Sequence, residues 1–217
     1  MTDRPRFRVL AICSGNVCRS PFLELLLARA LAGRADLEVA SAGTIARPRM
    51  RMTDEIVRVA ARYGIPETDA RAHRAARLDE AAVADADLVL GLTREHRAAA
   101  VQLHPRALRY AFTLREFARL LGDPEVAATA PGLTPGELVA AVAAHRGGAQ
   151  PVAAEADDIR DPIGLPQAVY DEVGAEIAAA AEVAARALAA TREATVKASE
   201  SPERSKAPSL SFSFRRL

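Results

Sequence analysis

A chain of 217 residues is one domain's worth at roughly 100 to 200 residues per domain, with length enough for a substantial core and a tail or an insertion. Lys+Arg 29 against Asp+Glu 28 leaves a net charge of +1, which removes any global electrostatic pull toward nucleic acid or an anionic membrane, so an anion site has to be local. The two cysteines, Cys13 and Cys18, are too few and too close to staple a secreted framework, and a reducing cytoplasm is the expected compartment.

Half the residues are hydrophobic, yet Trp is absent and Tyr 3 and Phe 6 are the whole aromatic complement, so Ala, Val, Leu and Ile must fill the core. Residues 1–6 read as an N-terminal tail too weakly apolar for a signal peptide, and no window reaches the roughly 18 apolar residues of a membrane span. No membrane insertion is expected.

Val9-Leu10-Ala11-Ile12 is a short apolar run that stops at the turn cluster Ser14-Gly15-Asn16 and reads as a buried parallel strand. After Pro21, Phe22, Leu23, Leu25, Leu26, Leu27, Ala30 and Leu31 recur at helical spacing before Gly33. Further strands are predicted at Leu37 to Ser41, Leu88 to Leu92 and Leu108 to Phe112, with helices near Thr53 to Tyr63, Arg94 to Leu103 and Leu114 to Leu121. The alternation predicts an α/β three-layer sandwich of about four parallel strands flanked by helices on both faces, with ligands at the carboxyl ends of the strands.

The Pro-, Gly- and Ala-rich stretch of about 122–155, with a possible helix at Pro135 to His145, reads as an insertion within one domain spanning 7–190. Ala168 to Ala190 suits a long helix on the sheet. Residues 191–217 have the composition of a disordered tail, although Ser-Phe-Ser-Phe-Arg-Arg-Leu alternates as a strand added to a partner would.

The chemistry lies in Cys13-Ser14-Gly15-Asn16-Val17-Cys18-Arg19-Ser20-Pro21, between the first strand and the first helix. Backbone N–H groups of a loop entering a helix converge on one point, and the helix dipole adds positive charge there, so the point is an anion site. Gly15 is read as permitting a strained backbone angle, Asn16 as tolerating a left-handed one while bracing the loop, and Pro21 as fitting the first helical turn. Arg19 can fork two hydrogen bonds onto a tetrahedral oxyanion. The same donors favour the thiolate form of Cys13, and Ser20 can donate to that sulfur. A thiolate below a phosphate cradle can attack phosphorus in line, giving a cysteinyl-phosphate for water to hydrolyse. That chemistry calls for no cofactor and no metal, and no Cys/His set at zinc-ligand spacing is present.

The nonapeptide resembles the phosphate-binding loop of the low-molecular-weight protein tyrosine phosphatases, Cys-x-Gly-Asn-x-Cys-Arg-Ser-Pro. Ser41-Ala42-Gly43-Thr44, His73-Arg74-Ala75-Ala76-Arg77-Leu78 and Asp161-Pro162 are similar to that family's later segments, in the same order. The resemblance implies a flavodoxin-like phosphatase fold and a phosphorylated protein, most simply a phosphotyrosine protein, as substrate. It implies Cys13 as nucleophile, Arg19 as phosphate clamp and Asp161 as general acid and then base. Residues Cys13, Ser14, Gly15, Asn16, Val17, Cys18, Arg19 and Ser20 would form the loop, with Ser41 and His73 supporting it.

Other readings stand beside these. Cys13 alone would be a small core hydrophobe; Cys18 is either packing or a thiol able to capture an oxidised Cys13. Asp123, Asp157 and Asp158 compete with Asp161, while His96, His104 and His145 show no partner pattern. Ile163-Gly164 and Arg47-Pro48-Arg49 stand where the family usually carries aromatic pocket walls, and Arg47, Arg49 and Arg51 suit an acidic substrate or merely a solvated basic loop. Phosphoarginine hydrolysis remains an alternative, which Asp-Pro-x-Gly with Tyr170 favours and Val17 disfavours. Arsenate reduction would need downstream cysteines, and a phosphate-binding module without turnover would lack the nucleophile or the acid.

Overall fold

In the computed structural model, which describes residues 6–193, the strands are β1 (Phe7–Cys13), β2 (Leu37–Gly43), β3 (Leu88–Gly91) and β4 (Ala111–Thr113). The helices are α1 (Arg19–Ala30), α2 (Asp54–Arg62), α3 (Glu67–Ala72), α4 (Glu80–Ala84), α5 (Arg94–Leu103), α6 (Leu114–Leu121), α7 (Pro124–Thr129), α8 (Pro135–His145) and α9 (Gln167–Ala190). The sheet runs β2-β1-β3-β4 with every pair parallel, so the chain adds β2 on one side of β1 and then crosses over to add β3 and β4 on the other. Loops leaving β1 and β3 therefore diverge, and the crevice between them is where such a sheet receives ligands.

Residues alternate between the two faces of β1. Val9, Ala11 and Cys13 join a large cluster with α1, α2, α6, α8 and α9, whereas Leu10 and Ile12 join a smaller one with Val83, Val89, Ala100 and Ala107. Both faces are covered, as the apolar run of the strand requires. α9 lies across α1, α2 and α6 and presents Ala180, Ala181, Ala184 and Ala185 to them, small side chains that let helices approach closely. Thr93, Thr113 and Thr134 cap α5, α6 and α8, the last two as full capping boxes with Glu116 and Glu137.

Three of the four strands fall where the sequence puts them. The fourth does not begin at Leu108: Pro105–Arg109 form a 3-10 turn that buries Ala107 and leaves Leu108 exposed, and β4 covers Ala111–Thr113. Pro105 presets the backbone for a turn that runs on through Arg109, so the strand starts three residues later than its apolar pattern suggests. Helices α3, α4 and α7 gave no periodic signal because each buries a single residue, Ala70, Val83 and Val126. Within 122–155, Val126, Leu138, Val139 and Val142 enter the large cluster, so that stretch shares the core of the sheet. Residues 1–5 and 194–217, including the alternating Ser-Phe-Ser-Phe segment, lie outside the described residues. No helix among the described residues is long and apolar enough to cross a membrane.

Gly174 is the tightest point of the α9 packing, since a Cβ there would lie 2.4 Å from Cγ1 of Val59 on α2. Val59 is β-branched and buried, so it cannot swing aside. Gly174→Ala is expected to destabilise the fold by about 1–3 kcal/mol in chemical denaturation, and Val59→Ala in the same chain to recover part of the loss.

Candidate active site

The turn from β1 into α1 wraps around the Cys13 sulfur. The Asn16 N–H lies 3.2 Å from Sγ and the Ser20 hydroxyl 3.0 Å, both donating to it. Asn16 takes the left-handed conformation (φ 53°), and every polar atom of its side chain is used. Its Nδ2 donates to Ser20 Oγ at 2.9 Å and to Ser41 Oγ at 2.8 Å, and its Oδ1 accepts from the Ala76 N–H at 2.8 Å. His73 Nε2 meets the Asn16 carbonyl at 2.9 Å. Ser20, Ser41 and His73 thus converge on Asn16, the left-handed residue of the loop.

The sequence reading missed Glu24, which closes this network. Ser41 donates to its Oε2 at 2.5 Å, and His73 Nδ1 stands 3.9 Å away. Burial raises the proton affinity of Glu24, against the Ser41 hydrogen bond and His73, which lower it. An acid one turn into a predicted helix carried no signal beyond a solvated face.

Gly15 does not supply the strained angle expected of it, since Asn16 alone in the loop has positive φ and a Cβ on Gly15 would meet only ordinary contact with Val17. The glycine the loop depends on is Gly43, at the end of β2 opposite Cys13. A Cβ there would fall 2.6 Å from the Ser14 carbonyl oxygen and 2.8 Å from the Asn16 nitrogen, both backbone atoms.

Arg19 is 3% exposed. Its Nη1 donates to the Ile159 carbonyl at 3.0 Å, and its Nη2 lies 2.5 Å from the Asp161 carboxylate and 3.4 Å from Ser14 Oγ. Nε is buried without a hydrogen-bond partner among the described residues. The Asp161 loop is pinned at three points: the Ile159 N–H donates to Leu92, Asp158 accepts from the Arg94 N–H at 2.7 Å, and Ile159 receives Arg19.

The competing acids are engaged elsewhere. Asp158 also pairs with Arg94, and Asp157 with Arg119. Asp123 accepts from the Glu125 N–H and pairs with His145 at 3.0 Å; these three bring ligand-type atoms within 4.8 Å of one another at a helix end. Cys18 is buried, and burial and Cys13 together push its thiol far up, so it stays protonated. Both cysteines are unpaired. Tyr170 is buried in the core rather than placed as a pocket wall.

His96, set aside in the sequence, is buried beside the loop. Its Nε2 is 2.9 Å from Ser14 Oγ and its Nδ1 3.0 Å from Thr93 Oγ1. Burial and the nearby Arg19 charge lower its pKa to about 4, against Asp161 and Asp158. The sequence signals only that Thr93, three residues ahead, caps the helix, which places His96 in its first turn but not against Ser14.

The segment after β2 frames the mouth. N–H groups of Thr44, Ile45 and Thr53 donate to the carbonyls of Cys13, Ser14 and Val17, so residues 44–53 are tied to the loop at both ends. Within this segment Ile45, Met50, Arg47, Arg49 and Arg51 are exposed, and Ile163, also exposed, follows Asp161 and donates its N–H to that carboxylate. Gly43→Ala is expected to lower stability by at least about 2 kcal/mol, while Gly15→Ala changes it little; thermal denaturation of the two variants makes the comparison.

A family model described as low molecular weight phosphotyrosine protein phosphatase matches residues 8–130. A probable low molecular weight protein-tyrosine-phosphatase, EpsP of Ralstonia nicotianae, is 33% identical over 117 residues, 54% of this chain and 77% of that protein. A protein-arginine-phosphatase of Bacillus subtilis is 33% identical over 111 residues, 50% of this chain and 71% of that one. Among solved structures, the YwlE arginine phosphatase from Geobacillus stearothermophilus superposes with a TM-score of 0.61 at 26% identity, covering 84% of this chain and 92% of its own. With the parallel sheet and the loop geometry in agreement, the chain belongs to the low molecular weight phosphotyrosine protein phosphatase family.

Proposed function

We propose that the chain hydrolyses phosphomonoesters of proteins, phosphotyrosine first among them, through a cysteinyl-phosphate on Cys13. The observation that carries this reading is the Arg19 guanidinium, buried with its Nε unpartnered among the described residues, on the same loop whose N–H and hydroxyl groups point at the Cys13 sulfur. A buried cation with an unpartnered N–H beside a donor-wrapped thiol fits a tetrahedral oxyanion.

In the first step the Cys13 thiolate forms a bond to phosphorus as the bond to the leaving oxygen breaks, and Asp161 gives that oxygen its proton. Arg19 and the loop N–H groups take up the charge on the equatorial oxygens. In the second step water attacks phosphorus, Asp161 takes the water proton, and the sulfur departs as thiolate, its charge spread over the Asn16 N–H and the Ser20 hydroxyl. Asp161 starts on Arg19 Nη2 and is 45% exposed, so a phosphate arriving at that edge displaces it toward the leaving group.

For the leaving group, a phenol suits this mouth better than a guanidinium. Ile45 and Ile163 offer aliphatic surface to a ring in place of aromatic walls, while Arg47, Arg49 and Arg51 oppose a cationic side chain. The Ralstonia relative carries a tyrosine-phosphatase name and the Bacillus relative an arginine-phosphatase name, so kinship alone leaves both readings in play. We place the chain in the reducing cytoplasm, a reading supported by the two unpaired cysteines and by a mechanism that needs Cys13 reduced.

Wild type should turn over para-nitrophenyl phosphate between about pH 5 and 7 with EDTA present, Cys13→Ser should abolish turnover, and Asp161→Asn should lower kcat by about 10²- to 10⁴-fold. Binding of inorganic phosphate without turnover would instead identify an inactive phosphate-binding module, and loss of turnover in EDTA would overturn the mechanism. A second comparison concerns the mouth. Phosphotyrosine peptides with acidic flanks should be cleaved several-fold faster than neutral ones at low salt, and a chain lacking Arg47, Arg49 and Arg51 should lose that preference.

A further inference from the structure

We propose that His96 is a positioning residue for the phosphate-binding arginine, acting through the Ser14 hydroxyl to hold the Arg19 guanidinium in the plane that presents its Nε–Nη2 edge to phosphate. The proposal rests on the phosphatase reading for its consequence in turnover, but its geometry concerns anion binding alone.

Donors and acceptors along the line fix its direction. Arg19 has only N–H groups, so at the 3.4 Å contact Nη2 donates and Ser14 Oγ accepts. The Ser14 hydrogen is then free for His96 Nε2 at 2.9 Å. His96 Nδ1 carries the ring's own hydrogen toward Thr93 Oγ1 at 3.0 Å, the atom that also accepts the His96 N–H at 3.3 Å as helix cap. A neutral ring is required, because an imidazolium would donate at Nε2 and set a second cation against Arg19. Burial and Arg19 itself keep the ring neutral, while Asp158 and Asp161, from the loop before α9, act in the opposite sense.

The ring's place is set by backbone packing as well. At Gly91, the end of β3, a Cβ would meet the Thr93 carbonyl oxygen at 2.9 Å, the Arg97 nitrogen at 2.8 Å and the His96 Cβ at 3.2 Å. The absent side chain lets the first turn of α5 fold back over the strand end, which carries His96 to Ser14. Of the other contacts on Arg19, the Ile159 carbonyl holds Nη1 on the far side and Asp161 leaves when phosphate arrives in the proposed cycle. Ser14 is then the protein acceptor that stays on Nη2, and His96 is what orients it.

The test uses wild type, His96→Gln, His96→Leu, Ser14→Ala and the Ser14→Ala/His96→Leu double variant. Calorimetric titration with inorganic phosphate reads the arginine, and para-nitrophenyl phosphate kinetics read its use. Glutamine keeps an acceptor within reach of Ser14, whereas leucine keeps bulk without one. His96→Leu and Ser14→Ala are each expected to weaken phosphate binding about tenfold and to lower kcat, and His96→Gln to recover most of the loss. In the Ser14→Ala background His96→Leu should cost nothing further, a coupling that a purely structural histidine would not produce. Should His96→Leu fail to fold, Ser14→Ala still removes the same acceptor without touching α5. Equal phosphate affinity in wild type and Ser14→Ala, or additive losses in the double variant, would overturn the proposal. Phosphate binding by wild type without turnover would overturn the phosphatase reading while leaving the His96 assignment readable.

Discussion

A guanidinium does not give up its proton, so Arg19 carries a full positive charge at 3% exposure and must be surrounded by acceptors. Those acceptors come from two places far apart in the chain: Ser14 on the same loop, and the Ile159 carbonyl and Asp161 carboxylate on the loop before α9. Satisfying one buried charge therefore brings the end of β1 and the approach to α9 together, and with them the thiol and the acid. Among the described residues the shell is left incomplete at Nε, the feature on which the proposed oxyanion site rests.

Two glycines at neighbouring strand ends govern how closely the loops can close on that charge. Cys13 pairs with Gly43 on one side of β1, and Ile12 pairs with Gly91 on the other. Each glycine lies under a segment that turns back across it, residues 14–16 over Gly43 and residues 93–97 over Gly91. Neither has positive φ, so what is needed is space rather than conformational freedom. The divergence of chain paths at this point of the sheet makes the crevice, and the missing Cβ atoms let the two segments lie directly on the strand ends.

Much of this was legible in the sequence, for reasons that differ by element. Apolar runs bounded by turn residues marked β1 to β3, and the nonapeptide marked Cys13, Asn16, Arg19 and Ser20, because the loop's chemistry is local in sequence. Asp161 was reachable only through resemblance; among several acids on that stretch, Arg19 selects it across 142 positions. Glu24 and His96 were not legible, since each acts on a residue that the fold alone brings near. The same holds for the two glycines, where the sequence pointed to Gly15 within the motif and the packing points to Gly43. β4 was misplaced because Leu108 is apolar and exposed, which no local pattern could reveal.

The hydrogen-bond network also separates what must stay still from what must move. Asn16 commits all its side-chain groups to Ser20, Ser41 and Ala76, and Ser41 and His73 are held in turn by Glu24, so the residues that donate to Cys13 are braced from several sides. Such fixed dipoles stabilise charge at phosphorus without reorganising as it develops. The Asp161 loop is built differently. Its Ile159 end is fixed by Leu92 and Arg19, whereas the Asp161 carboxylate is half exposed and has, besides Arg19, one 3.2 Å contact with the Ile163 N–H. The Asp161 carboxylate is thus tethered a short distance from a rigid anchor, which in the proposed cycle lets it exchange the arginine for a leaving oxygen when phosphate supplies the arginine with another anion.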